Sequence, residues 1–219
     1  QYQIEHAVRI RQRFASRLSG YVETLAFHFA LGGEGGKAVD YLVRSGAKSL
    51  RRCAVEEAHT HYQSAFALLA EKPARSPEED RRLVDILIRW FFVYNARGLF
   101  TAMIDLLRTH EPLAEKTGDP SRLAMYCCCM GWALQRRESL EESHAYLLRA
   151  LELARSCGDR RAEAYARGCL IWTCTDLGRL EEAVIHGREA AAARQGLEPD
   201  AELLRINLTG LGVAHWFRG

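Results

Sequence analysis

The chain repeats itself at an offset of 40 residues. Gly118-Asp119 lines up with Gly158-Asp159, Ala124 with Ala164, Cys129 with Cys169 and Trp132 with Trp172. Further on, Leu140-Glu141-Glu142 lines up with Leu180-Glu181-Glu182 and Ala150 with Ala190. A fixed period of this size implies stacked supersecondary units, none of which can bury its apolar face alone.

Each unit reads as two helices. "RRAEAYARGCLIWTCTD" carries apolar residues three and four apart and ends near Gly178, a helix stop. "LEEAVIHGREAAAARQ" follows as the second helix, with paired glutamates in its first turn, where carboxylates favour the positive end of the helix dipole. Small residues at Ala58, Ala102, Ser143 and Ala183, spaced 44, 41 and 40, are expected to let each second helix lie close against its first. No segment alternates at period two. The expected fold is therefore all-α, a single α-solenoid of antiparallel helix pairs over 1–219. It comprises an N-terminal helix over 1–20, first helices over 21–70, helix-pair repeats over 78–117, 119–156 and 159–195, and an unpaired last helix over 201–217. The absence of an initial Met and the unpaired last helix suggest a piece of a longer protein.

Charge and hydropathy exclude several functions. Thirty Lys and Arg against 28 Asp and Glu leave a net charge of +2, too small a surplus for a nucleic-acid-binding surface. No apolar run reaches the ~18 residues of a membrane span, so no membrane association is expected. "QYQIEHAVRIRQRF" has no signal-peptide apolar region. Seven cysteines without a secretory signal point to reduced thiols and a cytoplasmic protein.

The small-residue pattern Gly131, Leu134, Ser143, Leu147 and Ala150, and Gly178, Ala183 and Ala190 in the next copy, resembles the tetratricopeptide repeat. The departure is length: the common repeat is ~34 residues, shorter than the spacing here. "LAFHFALGGEGGKAVDYLVRSGAKSLRRCAVEEAHTHYQSAFALLAE", 25 to 71, resembles the segment that follows the ATPase module in bacterial adenylate/guanylate cyclases and related signal-transduction regulators. That resemblance implies a TPR-like regulatory region. No cyclase or ATPase motif lies in these residues, so no catalytic activity transfers.

The chemistry-bearing residues mostly read as structure. Cys127, Cys128 and Cys129 are consecutive on a helix, ~100° apart, and cannot close around one ion. Cys129 recurs as Cys169, which suits a small apolar filler, and Cys53, Cys157 and Cys174 have no ligand-like spacing. "GGEGGKA" lacks the first glycine and the Ser/Thr of a phosphate loop and sits between helices. His59 and His61 point apart, and the remaining histidines are expected one per helix at surfaces or interfaces. The glutamate pairs are read as water-facing first-turn charges. No metal, cofactor or catalytic residue is expected.

One pattern suggests binding. Trp132 and Trp172 hold equivalent slots on first helices, with Phe91 or Phe92 one repeat earlier. Asn95, Arg136 and Asp176 come about one turn on, and Tyr94 and Gln135 lie alongside. The ladder Phe91, Tyr94, Asn95, Trp132, Gln135, Arg136, Trp172 and Asp176 is expected to line the concave face and bind a protein or peptide partner, or other domains of the same chain. Its rival is that the tryptophans are core between repeats. The function expected is a non-catalytic interaction and regulatory module. The alternatives are an effector-sensing domain that encloses a small ligand, or a spacer that forms a homodimer through its last helix.

Overall fold

The computed structural model describes Glu5 and residues 22–31 and 35–218. Ten helices form there: α1 Val22–Leu31, α2 Gly35–Arg51, α3 Val55–Ala70, α4 Pro77–Arg97, α5 Phe100–Lys116, α6 Pro120–Arg136, α7 Leu140–Cys157, α8 Arg160–Asp176, α9 Leu180–Arg194 and α10 Ala201–Arg218. The described residues contain no strand, so the fold is all-α. The N-terminal helix expected over 1–20 lies outside the described residues apart from Glu5. None of these helices is long and apolar enough to cross a membrane.

The chain forms two compact units, Gln1–Gly98 and Leu99–Gly219. The division falls inside the repeat expected over 78–117, giving α4 to the first unit and α5 to the second. In the first unit α2 packs on α1 and α3, and α4 packs on α3. In the second, α6 pairs with α7 and α8 with α9, while α8 also touches α6, α7 and α10. Consecutive first helices α6, α8 and α10 thus lie side by side, with α7 and α9 behind them as second helices.

A recurring turn sets this register. The backbone enters the left-handed region at Cys53 (φ 58°), Gly98 (φ 68°), Glu138 (φ 61°) and Gly178 (φ 75°), each time between the first and second helix of a pair. Three of these turns close with the amide of the next residue on a carbonyl five residues back: Ala54 on Ser49, Ser139 on Leu134 and Arg179 on Cys174, at 2.9, 3.0 and 2.8 Å. The turn residues are 45, 40 and 40 apart. Five residues beyond each sit Ala58, Met103, Ser143 and Ala183, all fully buried. The expected member Ala102 is exposed instead. The register follows the turns, and five residues beyond Gly98 the buried residue is a methionine.

Side-chain N-caps, aspartate or serine, separate these first helices from the second helices. Asp119, Asp159 and Asp200 accept the amides of Arg122, Ala162 and Leu203 at 3.0, 2.9 and 3.1 Å, and Ser76 forms a capping box with Glu79. The second helices α3, α5, α7 and α9 have no side-chain cap. Instead they follow the tight turns directly, and three of the four carry two glutamates in the first turn.

Packing between paired helices is close. A Cβ on Gly131 would come within 2.5 Å of Leu147, so only glycine lets α7 approach α6 this nearly. Ser143, fully buried on α7, donates to the Gly131 carbonyl at 2.8 Å and meets the Thr173 hydroxyl of α8 at 3.0 Å. One charge is buried here too. Arg167 of α8 is 2% exposed. Its guanidinium donates to Glu163 at 2.9 Å, to Glu189 of α9, and at 3.4 Å to Nδ1 of His186. Burial first, and then Arg167, hold His186 below the usual histidine pKa.

Candidate functional site

The expected ladder divides between the two units. In the first, Phe91 is buried, 5% exposed, and meets Phe92 edge to face at 5.5 Å. Counting from the turns, the position equivalent to Trp132 is Phe92, six residues before Gly98, and Phe92 is half-buried. Tyr94 packs with Trp90 at 5.2 Å and His59 at 5.6 Å, against the second helix α3. Trp90 Nε1 donates to His59 Nδ1 at 3.1 Å in the same cluster. Asn95 is half-buried, and its carbonyl accepts the Gly98 amide at 3.2 Å.

In the second unit the tryptophans sit between repeats. Trp132 is buried and Trp172 half-buried, and their rings meet edge to face at 6.4 Å. Trp172 Nε1 donates to the Ile206 carbonyl of α10 at 3.2 Å. Gln135, 6% exposed, donates through Nε2 to Asp176 at 2.5 Å, linking α6 to α8. Arg136 and Asp176 are exposed, with the Arg136 guanidinium over the Phe100 ring at 5.5 Å. Trp132, Gln135, Trp172 and Asp176 thus link α6, α8 and α10.

The cysteine triplet is core. Cys127, Cys128 and Cys129 are at most 3% exposed, as is Cys169. Burial pushes the Cys127 and Cys169 thiols up to about 12 and raises those of Cys128 and Cys129 well above the ordinary range. Thiols so raised are poor nucleophiles.

A cleft that the sequence reading missed lies in the first unit, between the first helices α2 and α4. It holds about 350 Å³, with Val39, Val43, Ala47 and Ile86 as its apolar lining. The polar lining is Asp40 and Arg44 from α2 and Arg82, Asp85 and Arg89 from α4. Asp40 and Asp85 are 45 residues apart, as are Arg44 and Arg89, and as are the turns at Cys53 and Gly98 that follow them. Each helix therefore presents the same aspartate and arginine one turn apart. Arg82 bridges the helices, its Nη1 3.2 Å from Asp40, and also reaches Glu78 at 3.4 Å. Arg44 and Arg89 are exposed. With Arg82 held by Asp40 and Glu78, the positive charge that the cleft presents to solvent is that of Arg44 and Arg89.

This geometry belongs to a helical-repeat fold with known counterparts. No protein-family model matches the chain, and no curated protein matches it. Among solved structures it is similar to BtubC (BKLC) from P. vanneervenii, with a TM-score of 0.67 over 94% of this chain and 82% of that one, at 17% identity. A likeness at that identity extends to the fold alone.

Proposed function

We propose that the chain is a non-catalytic interaction module of TPR-like helix pairs that binds a segment of a partner protein along its first helices, in the cleft between α2 and α4. The observation that carries this reading is the duplicated Asp40/Arg44 and Asp85/Arg89 pair flanking an apolar lining. An alternating charge pattern fixed on two helices that line one cleft specifies register, while Val43 and Ile86 offer apolar burial. With that positive charge, the best-suited partner is an acidic segment, its carboxylates on Arg44 and Arg89 and an apolar side chain between them. Such a module would serve as a regulatory region of a larger cytoplasmic signalling protein, with partner occupancy biasing an attached domain. The cleft volume also falls in the range of small-molecule sites, which favours a small acidic effector as the second reading.

Panning a random peptide-display library against the whole chain tests the proposal. Enriched sequences should carry acidic and apolar residues in a repeated spacing, and the Arg44→Glu and Arg89→Glu variants should lose them. Enrichment that both variants retain would overturn the placement of the site.

A further inference from the structure

In the second unit three helices converge on one point. His144 of α7, Cys174 of α8 and Glu182 of α9 each place a ligand atom, imidazole nitrogen, thiol sulfur and carboxylate oxygen, within 4.8 Å of the other two. His144 Nε2 lies 3.2 Å from Glu182 Oε1. Cys174 is fully buried, whereas His144 and Glu182 are only partly buried, so the cluster is open on one side. Because each residue comes from a different helix, no local sequence spacing produces the arrangement; the repeat packing does.

We propose that His144, Cys174 and Glu182 form a zinc-class metal site that ties α7 to both helices of the next pair. The donor set suits the ion: thiolate and imidazole select zinc over calcium or magnesium, and a carboxylate completes a common trio. Ligands ~2.0–2.3 Å from a tetrahedral ion stand roughly 3.5 Å from one another. The trio needs to contract by little more than 1 Å, within the reach of side-chain rotation. The open side leaves room for water as the fourth ligand. On loading, the Cys174 thiol and any imidazolium at His144 release their protons, and no oxidant or reductant is consumed. His186 stands behind the carboxylate, its Nε2 3.7 Å from Glu182 Oε1, and would orient it. The opposing charge is Arg179, whose Nη1 lies 3.5 Å from His144 Nε2. Its Nη2 is held by both oxygens of Glu141 at 3.1 Å, so loading requires the guanidinium to swing from His144 toward Glu141.

Titration of the reduced whole chain with cobalt(II), followed by zinc(II), tests the site. The expected result is a thiolate-to-cobalt charge-transfer band that saturates at one equivalent and disappears on adding zinc. It should be lost in Cys174→Ser and in Glu182→Gln, and kept when the exposed Cys53 and Cys157 are both changed to Ser. Zinc should raise the melting temperature of the wild type and not that of Glu182→Gln, whose partly exposed side chain makes it the variant safest for folding. Absence of the band in the wild type, its survival in Cys174→Ser, or its loss in the Cys53/Cys157 double variant would overturn the proposal.

Discussion

Asp40 and Asp85 occupy the same place on successive first helices, and each is followed one turn later by an arginine, Arg44 and Arg89. These two helices therefore share a charged pair as well as a packing pattern. Packing positions recur because every pair must bury the same face. Charges that line a cleft have no such obligation, and their recurrence between α2 and α4 motivates the proposed recognition.

The turn at Glu138 stands where Gly98 and Gly178 stand, with φ at 61°. A side chain with a Cβ is disfavoured there, and glycine is not. Glu138→Gly should stabilise the chain by about 1 kcal/mol, and Gly178→Ala should destabilise it by a similar or larger amount. Thermal melting of the two variants checks this, with opposite shifts expected.

The seven cysteines should divide by burial. Cys53 and Cys157 are exposed, and Cys127, Cys128, Cys129, Cys169 and Cys174 are buried. Under native conditions iodoacetamide should modify two thiols per chain quickly and the other five only on unfolding. Mass spectrometry of the labelled peptides would show the division. Rapid native labelling of Cys128 or Cys129 would contradict the packing described for α6.

The fold was largely legible in the sequence, because Trp132/Trp172, Cys129/Cys169 and Gly118/Gly158 all keep the offset of 40. The cleft was not. Its two helices are 45 residues apart, since α4 has 21 residues and a proline-containing turn precedes it, so Asp40 and Asp85 do not align at the offset found downstream. The facing of the aromatic ladder was illegible for a different reason. Recurrence marks equivalent positions but does not say whether they face a partner or the next repeat. In the folded chain Trp172 bonds to the Ile206 carbonyl of the next first helix. The cluster of His144, Cys174 and Glu182 was invisible because it exists only once three separate helices are packed.

The tryptophans give a graded stability prediction. Trp132→Ala removes a buried ring and its contact with Trp172, and should cost about 3–5 kcal/mol. Trp172→Phe keeps most of the ring but leaves the Ile206 carbonyl without its donor, and should cost about 1 kcal/mol. Chemical denaturation of both variants checks the order.

His186 makes stability depend on pH. Its pKa in the folded chain lies below the ordinary value of 6.5, because of burial and of Arg167 on α8, against the opposing pull of Glu182 and Glu189 on its own helix. Above 6.5 both folded and unfolded states hold it neutral and its contribution is complete. As pH falls from 6.5 through the lower folded value, the unfolded state takes up the proton first and stability is lost. His186→Gln should flatten that part of the melting-temperature profile. An unchanged slope below pH 6.5 would show that another group is responsible.

The most direct test of partner binding in the first unit is a charge exchange. An acidic peptide selected by display would be titrated calorimetrically into the wild type, Arg89→Glu and Arg44→Glu, and then a peptide with its key carboxylate changed to lysine into the same three proteins. Each variant should lose about tenfold or more in affinity, equivalent to ~1.4 kcal/mol. Partial recovery is expected when the lysine peptide meets the variant that lost its arginine partner, as is weaker binding of the original pair at high salt. Affinity unchanged in both variants would contradict binding in this cleft.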